Sequence, residues 1–165
     1  MSQNLSIVSL DQIPVCSDVP LEDLLQILRW VVKMENMCEE LHGIGLAAAQ
    51  VGLPFNFFIL KRNSYEYYLN CSYEGMGEKR KSIEGCLSLK GEKGELRRFE
   101  VDRYSSVRVK GKRLKINDSP SLILEDVDLI ENGLTAIVFQ HEIDHASGRD
   151  KMIDLIGKEL EISKL

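Results

Sequence analysis

Residues 140–148 read QHEIDHASG, and within them His141, Glu142 and His145 form an H-E-x-x-H pattern. On a helix, residues four apart stack one turn above the other, so both imidazoles can grip one metal ion with a carboxylate beside them. The chemistry this suggests is metal-assisted hydrolysis, with the glutamate as proton acceptor. A catalytic site of this kind usually takes three protein ligands and keeps one position open. Two histidines are therefore an incomplete set.

The candidates for a third donor are few. The extended form H-E-x-x-H-x-x-G-x-x-H needs a histidine at position 151, where Lys151 stands. Downstream carboxylates at Glu159 and Glu161 leave little room before Leu165 for a second helix to present one. The third histidine, His42, falls at the end of a predicted helix, where exposure is expected. A thiolate remains, and Cys86 lies in Glu84-Gly85-Cys86-Leu87-Ser88, a glycine-bearing segment flanked by polar turns. A lone cysteine is ordinarily inert core. Here the helix needs a partner, and a Cys/His/His set leaves a fourth tetrahedral position for water.

The elements that must position these groups are partly readable. Leu134, Ile137, Val138, His141 and His145 share one helical face, which predicts imidazoles continuing an apolar stripe into the core. Asn132 is the expected N-cap and Gly148 the expected stop. A first helix is predicted from Pro20 to Leu41, ending before Gly43. Strands are expected in FNFFILK, YEYYLNCSY and SLILEDVDL, with a hairpin in SVRVKGKRLKI around Gly111. Lys79–Lys81 and Lys90–Arg98 read as solvated loops.

With 165 residues, 44% hydrophobic and 28% charged, the chain is expected to form a single domain over 1–165. Its net charge of −5 argues against nucleic acid as an electrostatic partner. No signal peptide or membrane-length apolar run is seen. Cys16, Cys38, Cys71 and Cys86 are widely spaced, which suggests a reducing compartment.

Three stretches, GIGLAAAQ (Gly43–Gln50), EGCLS (Glu84–Ser88) and QHEIDH (Gln140–His145), together resemble the signature motifs of peptide deformylases, in that family's order and spacing. The resemblance implies removal of the formyl group from N-formylmethionine on nascent chains, with release of formate. It implies Cys86, His141 and His145 as ligands of one divalent ion, natively Fe²⁺, with Zn²⁺, Ni²⁺ or Co²⁺ able to substitute. Glu142 would be the base, and Gln50 and the Leu87 backbone N–H the oxyanion donors. Gly43, Ile44 and Gly45 would pair with an extended substrate backbone, and Ile44, Leu134, Ile137 and Val138 are candidates for the methionine pocket.

The chain departs from the family pattern at Cys71 and Lys90, where prolines are common, at Ala146 after the second histidine, and at Arg149-Asp150-Lys151. The expected fold is α+β: short mixed or antiparallel sheets around a central helix carrying H-E-x-x-H, with the N-terminal helix packed outside. A monomer acting on formyl-Met peptides at the ribosome exit is expected. Its compartment would be the cytoplasm, or the equivalent in an organelle or virus-infected host cell. The alternatives are an H-E-x-x-H metallopeptidase and an inactive metal-binding relative. Asp144 is expected to pair with Arg103 and so to orient the ligands.

Overall fold

The structure, a computed structural model, describes residues 5–116 and 122–148, together with the short strand at 159–160. Two helices, α1 (Leu24–Glu40) and α2 (Gly133–Ala146), accompany strands β1 (Gly45–Ala47), β2 (Phe57–Lys61), β3 (Tyr65–Lys90), β4 (Leu96–Ile116), β5 (Leu122–Asn132) and β6 (Glu159–Leu160). The strands form one antiparallel sheet in the order β1-β2-β3-β4-β5, with β6 paired to β4. A lone parallel bridge joins Ser17 to Phe55. Among the described residues, no helix is long and apolar enough to cross a membrane.

Alternation along β2 explains why a helix sits on each face of the sheet. Phe57 and Ile59 join Ile27, Val31, Met34 and Cys38 of α1 in one buried cluster. Phe58 and Leu60 join Tyr68, Val107, Val109 and the α2 residues Ala136, Phe139 and Ile143 in another. A strand clad on both sides reads as a continuous apolar run, as FFIL does. Each fully buried side chain of this kind contributes about 1.5–3 kcal/mol. The α+β expectation therefore holds, with α2 central and α1 outside the sheet.

The strands are not short. β3 spans 26 residues and β4 spans 21, and the two pair along most of their length. Register shifts between Leu69 and Ser72, Met76 and Lys79, and Gly85 and Lys90 divide this ribbon. Asn70 (φ 54°) and Gly77 (φ 71°) adopt left-handed conformations at the first two. Such bulges bend and twist long strands.

These features correct several expectations. No hairpin turns at Gly111; β4 runs straight through it, and the glycine makes room for Cys71, whose Sγ and backbone a side chain at 111 would strike. Lys79–Lys81 belong to β3, where Lys81 pairs with Asp102 at 3.0 Å and Lys79 caps the Tyr104 ring. Of the loop expected over Lys90–Arg98, only residues 91–95 lie outside strands, closed by the Gly91 N–H donating to the Glu95 carbonyl, while Lys90 ends β3 and Leu96–Arg98 begin β4. The first helix starts as a 3-10 turn, Leu21–Asp23, and His42 (φ 54°) rather than Gly43 carries the left-handed residue at its end.

Candidate metal centre and cleft

Strand β5 runs directly into α2 at Asn132, and Gly133 (φ 58°) makes the change of direction. His141, Glu142, Asp144 and His145 are all buried in the last turns of this helix. The two imidazoles lie one turn apart, with ring centroids separated by 4.9 Å. Leu134 departs from the expected inward stripe: it is 68% exposed, because the first helical turn projects to the mouth of a cleft.

Cys86 reaches the histidines because it shares the inward face of β3 with Glu84 and Ser88, which are buried like it. Gly85 faces Arg98 and Lys90 faces Leu96, so residues 86–89 stand opposite Arg97 alone. There Cys86 packs in one buried cluster with Ala49, Phe99 and Val101. Its Sγ lies 3.4 Å from His145 Nε2, and the Cys86, His141 and His145 donor atoms all fall within 4.8 Å of one another. A soft thiolate and two imidazoles converging on one point suit a single metal ion.

A buried charge network orients this set. Glu84 Oε2 lies 2.8 Å from His141 Nδ1, which directs Nε2 of that ring toward the cluster. Arg103 donates to both Glu84 oxygens at 2.9 Å and to Asp144 Oδ2 at 2.6 Å. The Tyr73 hydroxyl donates to Asp144 Oδ1 at 3.0 Å. Asp144 thus has the Arg103 partner expected of it. Glu84 was missed, although its place two residues before Cys86 was the available signal.

The electrostatics call for a cation. Burial would discharge His141, yet hydrogen bonding to Cys86 and Glu84 holds its pKa up at about 10. A proton or a metal ion can meet that demand for positive charge. Burial, with the neighbouring charges of His141 and Arg103, pushes His145 well below its ordinary value, toward the neutral form that ligation needs. Burial lifts Glu142 to about 7, with His141 pulling down and Glu84 pushing up. Glu142 Oε2 and His145 Nδ1 are buried without a hydrogen-bond partner among the described residues.

A cleft of about 450 Å³ opens over Glu142 and His141. Gly43, Ile44, Gly45, Gln50, Leu87, Leu134, Ile137 and Val138 all line it, while Cys86 and His145 lie buried behind. The Gln50 side chain is fixed by the Ala47 N–H donating to Oε1 at 2.9 Å, which turns its Nε2 toward Cys86 and Ser88 at 3.5 Å. Residues 43–45 and 82–85 both line it. A larger surface depression, about 600 Å³ beside Glu35, Tyr65, Tyr67 and Arg113, gathers no comparable set of converging groups.

A sequence profile of polypeptide deformylases matches residues 14–155. The chain belongs to this family. It is similar to the peptide deformylase of Aquifex aeolicus, 32% identical over 116 residues, covering 66% of this chain and 61% of that protein. It also resembles that of Rhodopirellula baltica, 32% identical over 146 residues, covering 81% of this chain and 66% of the relative. The matched regions thus span somewhat less than two thirds of these relatives. The crystal structure of the Thermotoga maritima peptide deformylase superposes with a TM-score of 0.71 at 26% identity, covering 93% of this chain and 98% of that one.

Proposed function

We propose that the protein is a peptide deformylase that hydrolyses the formyl group from N-formylmethionine at the start of nascent polypeptides, releasing formate. The observation that carries this reading is the buried Glu142, outside the Cys86/His141/His145 donor set yet beside it, lining the cleft over that cluster. A structural metal site has no use for a base that contributes no ligand atom.

In this reading Cys86, His141 and His145 hold one divalent ion, and Fe²⁺ is the native choice implied by the family. Bound there, the ion lowers the pKa of a water and polarises the formyl oxygen. Residues 43–45 and 82–85 clamp the substrate backbone as an added strand, and the methionine side chain enters between Leu134, Ile137 and Val138. Glu142, with its pKa near 7, takes the proton from the attacking water and delivers it to the leaving amine. The Gln50 side-chain amide and the Leu87 N–H donate to the oxygen that gains charge. Water plus formamide then yields formate and a free amino terminus. We place this activity in a monomer in the cytoplasm, at nascent chains emerging from the ribosome.

The test is formate release from a formyl-Met peptide by protein purified without oxygen, beside Glu142→Ala and Cys86→Ala. Robust turnover by the wild type, lost in both variants while Glu142→Ala keeps its metal, is the expected result. Cleavage of unformylated peptides without formate release would move the assignment to a metallopeptidase.

A further inference from the structure

Along β3 the inward face changes phase at Gly77. Before it, Cys71, Tyr73 and Gly75 are more buried than their neighbours; after it, Glu84, Cys86 and Ser88 are. An odd number of residues separates Tyr73 from Glu84, so unbroken alternation would put their side chains on opposite faces. The bulge between Met76 and Lys79 resets the count, because three steps of β3 there match the two of β4 from Ser106 to Tyr104. Both side chains therefore reach α2, Glu84 at His141 and Tyr73 at Asp144. Tyr73 arrives from outside the cleft: it lines a separate depression of about 450 Å³, with Gly75, Tyr104, Ile143 and Ala146, that shares no lining residue with the cleft.

Asp144 is 0% exposed, and its two oxygens are served from different sides: Oδ2 by Arg103 Nη1 and Oδ1 by the Tyr73 hydroxyl. That division leaves Nε and Nη2 of Arg103 for the two Glu84 oxygens, and Glu84 Oε2 for His141 Nδ1. We infer that Tyr73 is a positioning residue for the metal centre, holding Asp144 so that Arg103 stays forked on Glu84 and Glu84 on His141. This rests on the metal site of the deformylase reading and adds to it a hydroxyl outside both the ligand set and the cleft. Without that hydroxyl a buried carboxylate oxygen loses a donor. Arg103, with its five N–H groups, turns toward Asp144 to replace it and loosens its grip on Glu84. His141 then loses the fixed partner that orients its ring as a ligand.

The experiment measures Co²⁺ affinity by competition with a chelator, and the visible spectrum of the Co²⁺-loaded protein, in wild type, Tyr73→Phe and Tyr104→Phe. Tyr73→Phe removes one oxygen and keeps the ring that fills the site. It should weaken Co²⁺ binding by about tenfold, the low end of the cost of disturbing an outer partner of a metal ligand, and shift the Co²⁺ bands. With a formyl-Met peptide its kcat should fall at a nearly constant KM, because Tyr73 does not line the cleft. Tyr104→Phe takes a hydroxyl from the same depression without touching Asp144 and should match the wild type. Unchanged Co²⁺ affinity and spectrum in Tyr73→Phe, even with a lowered Tm, would overturn the positioning role, as would an equal loss in both variants. Affinity and spectrum are read without substrate, so a wild type that binds Co²⁺ but releases no formate would overturn the deformylase reading alone. A wild type that takes up no Co²⁺ would overturn the metal site and the role of Tyr73 with it.

Discussion

Gly45 and Glu142 are in such close apposition that a single methyl group on the glycine would lie 2.5 Å from the carboxylate Oε1 and 2.9 Å from Cδ. Glu142 is itself buried in the helix wall, so it has little space into which to retreat. Gly45→Ala should therefore displace the base while leaving Cys86, His141 and His145 in place. Displacing a catalytic group by about 1 Å can cost on the order of 100-fold in rate. The expected outcome is kcat lowered by about that factor at unchanged metal content, read by formate release and metal analysis on one preparation.

Gln50 offers a second, separable loss. Its Oε1 is held by the Ala47 N–H, so its Nε2 is aimed before any substrate arrives. Gln50→Ala should remove one oxyanion donor, worth about 3–4 kcal/mol, and lower kcat by about 100- to 1,000-fold. KM should change far less, because the donor strengthens only as charge develops. A rise in KM at constant kcat would instead make Gln50 a ground-state binding residue.

Much of this arrangement was legible in the chain. The α2 face, with Val138 and the histidines turned inward, follows from helical periodicity, though Leu134 at its start does not, and Cys86 follows from the need for a third donor. The long ribbon was not legible, because its bulges break the period-two pattern. At Asn70 and Gly77 left-handed residues interrupt the strand, at 86–89 the pairing register shifts, and the intervening segments resemble turns. Lys79–Lys81 looked like loop because cross-strand partners such as Asp102 lie far away in sequence. Glu84 was hidden for the same reason: its partners His141 and Arg103 become neighbours only when β3, β4 and α2 assemble.

The metal should also bind the fold together. Its proposed ligands come from β3 and α2, so removing it should untie the last turn of the helix from the ribbon. Stripping the ion with a chelator should abolish turnover and lower Tm, since a ligand that binds only the native state stabilises it. Hydrogen exchange at the C-terminal turn of α2 should accelerate more than at its first turn. Refilling with Zn²⁺ should restore Tm. Identical Tm values with and without metal would show that the cluster contributes nothing to holding the two elements together.

Arg103 is only 2% exposed and bridges Glu84 and Asp144, which are themselves 8% and 0% exposed. Replacing it by methionine leaves two buried carboxylates without their cation, a defect that typically costs about 3–5 kcal/mol. Arg103→Lys should recover only part of this, since an ammonium cannot make the forked contact to Glu84 and reach Asp144 together. Urea unfolding of the three proteins measures the difference. A loss under about 1 kcal/mol in Arg103→Met would mean that water reaches the carboxylates.

The same network predicts an acid sensitivity whose sign can be worked out. Burial would raise the Glu84 carboxyl, but hydrogen bonds from His141 and Arg103 more than offset this and hold it at about 2, against an ordinary 4.5. A depressed native pKa means that the unfolded chain takes up the proton first as pH falls. The stabilisation from ionised Glu84 is therefore complete above pH 4.5 and is lost as pH falls toward about 2. Its full size, present above pH 4.5, is on the order of 3 kcal/mol. Glu84→Gln forfeits this contribution at neutral pH and has no carboxyl there to titrate. Its Tm should start lower and fall less steeply than that of the wild type between about pH 5 and pH 3. Parallel curves would mean that Glu84 keeps an ordinary pKa in the folded protein.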